Sequence, residues 1–157
     1  KVSRNGDKLD VTMRPMNDFM SFSMFGANSP LHWDVALNQN IPTSLRLSLG
    51  ANKSVLDLRD MKITNLTLET GASETDITLP AQGRIHADFD LGAASLTVTI
   101  PEGLSARIHA SLGVADMNID KVRFPRTGNY YQSPDYETAA NAADININAG
   151  AASIKIR

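Results

Sequence analysis

Glycine recurs in this chain at a fixed interval. Gly50, Gly71, Gly92 and Gly113 stand 21 residues apart, and each is followed by a small or β-branched residue: Ala51, Ala72, Ala93 and Val114. A further pair, Gly150-Ala151, comes 37 residues after Gly113, one interval plus a 16-residue insertion. A constant period of this length marks stacked architectures, whose units are too small to bury an apolar face alone and do so against their neighbours.

Alignment on the glycines reveals further columns. Five residues before each glycine stand Leu45, Leu66, Ala87, Ile108 and Ile145; three before it stand Leu47, Leu68, Phe89, Ala110 and Ile147. Six after it come Leu56, Ile77, Val98, Ile119 and Ile156. Within each half apolar and polar residues alternate, the period of a strand buried on one face. The parity changes just after the Gly-Ala pair, as at a corner between two strands. Leu79-Pro80 and Ile100-Pro101 then close two of the units, because proline cannot donate to a ladder. These features predict an all-β fold: a single-stranded, right-handed, parallel β-helix-like solenoid with a 21-residue repeat, like strand stacked on like strand. A β-sandwich also spaces short strands regularly, but nothing in it requires glycines held in one phase.

Terminal caps are expected on an open stack. Residues 1–30 read as a capping segment, with a strand from Lys8 to Met13 and then an apolar tract of Met16, Phe19, Met20, Phe22, Met24 and Phe25. The alternative for that tract is an exposed partner or membrane surface. Residues 31–157 form the solenoid domain, opened by an irregular rung through Leu31, Trp33, Val35 and Leu37. The insertion, about 121–142, carries all three tyrosines, Tyr130, Tyr131 and Tyr136, near Arg123 and Arg126. Tyrosines in such a loop either clamp a sugar or anion or anchor the loop to the wall, and anchoring is the stronger expectation.

Composition narrows the partners. A net charge of −2 gives no electrostatic reason to expect nucleic acid. No stretch approaches the roughly 20 apolar residues of a membrane-spanning helix, so any membrane attachment is expected in segments outside this sequence. There is no signal peptide, and the start at Lys1 without methionine points to a fragment whose leader or anchor lies upstream. The lack of cysteine removes disulfides, thiol catalysis and thiolate metal sites.

Chemistry-bearing side chains concentrate on the outward columns. The 21-residue phase would set Asp88 beside His109, Glu69 beside Asp90 and His86 near Arg107. Two carboxylates about 5 Å apart could share a proton or serve a glycosidase, and His86, Asp88 and His109 could be imagined as metal ligands. A solvated sheet face explains the same residues more simply, and the two histidines fall in different columns. No phosphate loop, zinc-helix, nucleophile-elbow or calcium-loop motif is present. The expectation is therefore no catalytic residue, no metal and no cofactor.

The runs Asp34-Val35, Ile41-Pro42, Leu45-Arg46-Leu47, Gly50-Ala51, Leu68-Glu69-Thr70-Gly71-Ala72, Ile100-Pro101-Glu102-Gly103 and Ile145-Asn146-Ile147-Asn148-Ala149-Gly150 resemble the toastrack domain. That domain occurs in bacterial cell-wall-active-antibiotic response (LiaF-like) and adhesin-like proteins. The likeness runs from about residue 33 to Arg157 and leaves residues 1–30 unmatched. It implies a β-helix-like fold, an extracytoplasmic place in the cell envelope and a part in envelope stress sensing; it supplies no catalytic residues. The leading expectation is a non-catalytic module that binds a protein partner or cell-wall component through Tyr130, Tyr131, Tyr136, Arg126, Asp88 and His109. The rivals are a scaffold self-associating through its ends and, behind it, a polysaccharide-active enzyme.

Overall fold

A computed structural model describes residues 1–6, 8–13 and 34–157. The chain divides into two compact units, Lys1–Val35 and Ala36–Arg157. In the first, β1 (Val2–Asn5) and β2 (Lys8–Val11) form an antiparallel hairpin with Val2 opposite Val11 and Arg4 opposite Leu9. The methionine and phenylalanine tract, Leu31 and Trp33 lie outside the described residues. The expected strand through Val35 and Leu37 is not formed in its described part: both side chains are exposed.

The second unit is all-β. Its long strands are β3 (Thr43–Asp57), β4 (Ile63–Thr78), β5 (Arg84–Thr99) and β10 (Ala142–Ile156). Shorter ones are β6 (Ser105–Leu112), β7 (Asp116–Ile119), β8 (Arg126–Thr127) and β9 (Tyr130–Gln132). The long strands pair in parallel, with Leu45 opposite Leu66 and Leu66 opposite Ala87, so these neighbours are offset by 21 residues. Among the described residues no helix is long and apolar enough to cross a membrane.

Each long strand bends at its glycine into two arms. In β4 the first arm buries Leu66, Leu68 and Thr70, then Gly71 and Ala72 are both exposed, and the second arm buries Thr75 and Ile77. The inward phase thus breaks between glycine and alanine, one residue earlier than the alternation suggests, and the alanine column faces out. Both arms' inner faces contribute to one core, in which Leu68, Leu79, Ala87, Val98, Ile108 and Ile145 are fully buried. At about 25 cal/mol per Å² of apolar area, this spine is the principal stabilising feature of the unit.

The glycines have a steric reason at the corner. A Cβ on Gly92 would lie 2.8 Å from the Gly71 carbonyl oxygen, on Gly150 3.2 Å from that of Gly92, and on Gly113 2.9 Å from that of Gly150. Neighbouring corners approach too closely for a side chain, and none of these glycines has the positive φ that would itself demand glycine.

Strand order departs from expectation. The sheet runs β3-β4-β5-β10-β6-β9-β8, with β7 also on β10, so the last strand lies between β5 and the β6/β7 pair. Ile147 faces Phe89 on one side and Ala110 on the other. β10 is continuous and pairs along both flanks, whereas its counterpart is broken at 113–115 into β6 and β7. An interior slot satisfies the backbone groups of the continuous strand on both sides, and the broken strand follows it, with β9 beyond β6. Sequential strands are neighbours only about two-thirds of the time, and this is one of the other cases.

At the C-terminal end of β3, Asp57 receives Arg59 Nε at 2.9 Å and Arg59 Nη2 at 2.5 Å. Those hydrogen bonds, aided by the Arg59 backbone amide and charge, hold the Asp57 carboxyl down at about 2 from its ordinary 3.8. A depressed carboxyl stabilises the fold above its ordinary value and loses that contribution as pH falls from about 3.8 through about 2. An NMR titration should find the Asp57 midpoint near 2, moving back toward 3.8 in Arg59→Ala; the same midpoint in both proteins would refute the pairing.

Candidate functional site

The outward face of the first arm carries the candidate residues in rows that cross the strands. One row runs Arg46, Thr67, Asp88, Asn146, His109, Tyr130. Its neighbour toward the corner runs Ser48, Glu69, Asp90, Asn148, Ser111. On the other side lie Asn65, His86, Asp144, Arg107 and Gln132. Alternation keeps all of these on the face opposite the apolar columns.

Because β10 intervenes, Asp88 and His109 are not adjacent. Asn146 stands between them and donates from Nδ2 to Asp88 Oδ1 at 3.0 Å. Asp144 separates His86 from Arg107 in the same way. Glu69 and Asp90 do pair in register, yet each is bonded away from the other. Arg46 Nη1 reaches Glu69 at 3.2 Å, and Asn148 Nδ2 reaches Asp90 Oδ1 at 3.1 Å. His86 Nε2 lies 3.2 Å from Asp88 Oδ2 along its own strand, while His109 sits two strands from Asp88. Among the described residues no three His, Asp or Glu side chains converge on a metal position.

The insertion widens this face. β8 and β9 form an antiparallel hairpin whose second strand pairs with β6, placing Tyr131 opposite Ile108 and Tyr130 opposite His109. Register therefore divides the tyrosines: Tyr131 packs against the core and Tyr130 faces outward in the Asp88 row. Tyr136 is buried at 5% exposure, with the Arg107 guanidinium 4.2 Å from its ring centroid; that guanidinium is also 5.6 Å from the Tyr130 ring. Arg126 donates from Nε to the Gly128 carbonyl at 3.3 Å and holds its own exposed turn. Of the six candidates, Asp88, His109 and Tyr130 thus share a row, Arg126 lies apart on the hairpin, and Tyr131 and Tyr136 anchor the loop.

Residues that drew little notice in the sequence do much of this positioning. Arg123 donates to the carbonyls of Ile100 and Pro101 at 2.6 Å each and of Leu104 at 3.2 Å, beside the fully buried Phe124. Ser133 Oγ accepts the Ala106 amide at 2.9 Å, and Asn141 Oδ1 accepts that of Gly83 at 2.9 Å. Asn146 and Asn148 were legible as the polar half of the Ile145-Ile147 alternation, though not as neighbours of Asp88 and Asp90.

A long, parallel-rich sheet with polar rows along its outer face defines an all-β protein. The chain belongs to the toast_rack family: residues 1–100 match the family model described as the N-terminal domain of toast_rack, DUF2154. The match begins at residue 1 and so includes the first thirty residues, which the sequence resemblance left unassigned. Among solved structures the chain is similar to a "putative cell adhesion protein" from Clostridium sporogenes, with 26% identity and a TM-score of 0.61 over 76% of this chain. It spans 57% of that chain. A comparison with curated proteins finds no match.

Proposed function

We propose that the chain is a non-catalytic, adhesin-like module of the cell envelope that binds a protein partner or cell-wall component through the outward face of its first arm. The observation that carries this reading is the row Asp88, Asn146, His109, Tyr130, built from four strands into one continuous hydrogen-bonding surface. Family membership and likeness to a chain described as a cell adhesion protein support it. The parallel stacking of β3, β4 and β5 at 21-residue offsets supports a solenoid-like frame, right-handed by the general preference for parallel crossovers. Envelope stress sensing, the role that the resemblance to LiaF-like proteins implies, is what this surface would serve. Glu69 and Asp90 bonded away from each other argue against a proton-sharing enzyme pair.

The test is capture from a detergent-solubilised bacterial envelope. Replacing all three tyrosines would confound binding with unfolding, because Tyr131 and Tyr136 are packed. Asp88→Ala/His109→Ala/Tyr130→Ala changes only outward-facing side chains of that row and leaves Tyr131 and Tyr136 in place. Capture is expected to fall at least about tenfold (roughly 1.4 kcal/mol) with the thermal midpoint kept; wild-type capture by this folded variant would refute the reading.

A second reading, a scaffold that self-associates through its ends, draws on β3. Among the described residues β3 pairs with β4 alone, and its Leu45, Leu47, Leu49 and Leu56 are only partly buried. Sedimentation that stays monomeric over a wide concentration range would dismiss it.

A further inference from the structure

Beside the Asp88 row, at the corner, the outward face dips into an open groove of about 650 Å³. Its wall is the row Ser48, Glu69, Asp90, Asn148, Ser111, and backbone at Gly71, Gly92, Gly113 and Gly150 lines it as well. We infer that this groove binds an extended neutral or amine-bearing glycan strand, laid across the β-strands. The inference rests on the adhesin-like reading and names a ligand class for it.

Three features select that chemistry. The wall is a ladder of short hydrogen-bonding groups, two carboxylates, an amide and two hydroxyls, repeating at the strand spacing of about 4.8 Å and extending over roughly 19 Å. Polyhydroxylated rings linked in an extended chain offer hydroxyls at a comparable step. The glycine corner leaves backbone without side chains, so a sugar ring can approach the main chain closely. Charge decides the sign: Asp90, bonded to the neutral Asn148 amide, repels phosphorylated and uronic polymers and accepts hydroxyl or ammonium donors, while Glu69 is paired with Arg46.

Competing ligands fit less well. A peptide adding a strand needs a free sheet edge, whereas the groove crosses strands whose backbone groups are already paired in the ladder. Nucleic acid would meet the carboxylates. A metal ion lacks a third His, Asp or Glu among the described residues.

The experiment uses the purified chain with hexamers of β-1,4-linked N-acetylglucosamine and of glucosamine, and with oligogalacturonate as the acidic comparator. Calorimetry should show binding of at least one of the first two and none of the third, and amide resonances of Gly71, Gly92 and Gly150 should shift. Asp90→Ala/Asn148→Ala should weaken binding at least about tenfold at an unchanged thermal midpoint. No hexamer binding at millimolar concentration, equal binding by the folded variant, or equal binding of oligogalacturonate each overturns the assignment. Envelope capture that persists without hexamer binding removes the groove and leaves the adhesin-like reading standing; hexamer binding without envelope capture does the reverse.

Discussion

Gly92→Ala is expected to destabilise the chain by about 3 kcal/mol, although alanine suits the backbone angles there. The cost is contact: the new Cβ would sit 2.8 Å from the Gly71 carbonyl oxygen, and a backbone oxygen held in a parallel ladder cannot retreat as a flexible side chain could. The corners themselves supply the control. A Cβ on Gly50 meets nothing within 4 Å, and one on Gly71 makes ordinary contact at 3.5 Å. Gly50→Ala should therefore be neutral or stabilising by up to about 1 kcal/mol, since it removes freedom from the unfolded chain. Gly113→Ala should resemble Gly92→Ala, and Gly150→Ala should fall between the extremes. Urea denaturation of the five alanine variants reads the order directly. Equal losses at Gly50 and Gly92 would show that the glycines serve some need other than close approach.

Arg123→Ala is expected to cost a similar amount, about 3 kcal/mol, and to loosen the insertion locally. Its guanidinium ties the start of the insertion to three carbonyls of the 100–104 turn. Charge-assisted bonds of this kind contribute about 1.5–3 kcal/mol each, and they share one side chain, so they do not add in full. Lysine carries the charge without the planar fork, and Arg123→Lys should recover only part of the loss. Hydrogen exchange should rise first at residues 121–133 and at Ala106, whose amide bonds to Ser133. A loss under about 1 kcal/mol with unchanged exchange would mean that Tyr131, Tyr136 and Phe124 anchor the insertion without help.

The candidate face was half legible. Alternation correctly assigned Asp88, His109 and Glu69 to the outward side, because parity along a strand needs no knowledge of its neighbours. Parity could not assign the insertion, where Tyr130 and Tyr131 face opposite ways only because β9 pairs with β6 in one register. Nor did hydropathy reveal the inward positions near the corner of β3 and β4. Thr75 is buried in the same column as Leu96 and Ile154, opposite the half-buried Ser54. A hydroxyl beside a glycine corner reads as surface until the inward phase of the second arm is known.

The sequence by itself determined the all-β character, the positions of the corners and the apolar columns, because those follow from backbone period and from the side chains each strand carries. Only the tertiary structure decided which strand lies beside which. Ile145 and Ile147 complete the columns equally well against Ala87 and Phe89 or against Ile108 and Ala110, and in the fold they do both. Column chemistry is nearly degenerate for that choice. The pairing of backbone groups along both flanks of the continuous β10 favours the interior slot, with the broken β6/β7 strand on its far side and β9 beyond β6. That placement puts Asn146 between Asp88 and His109 and replaces an Asp88–His109 pair with an amide–carboxylate hydrogen bond.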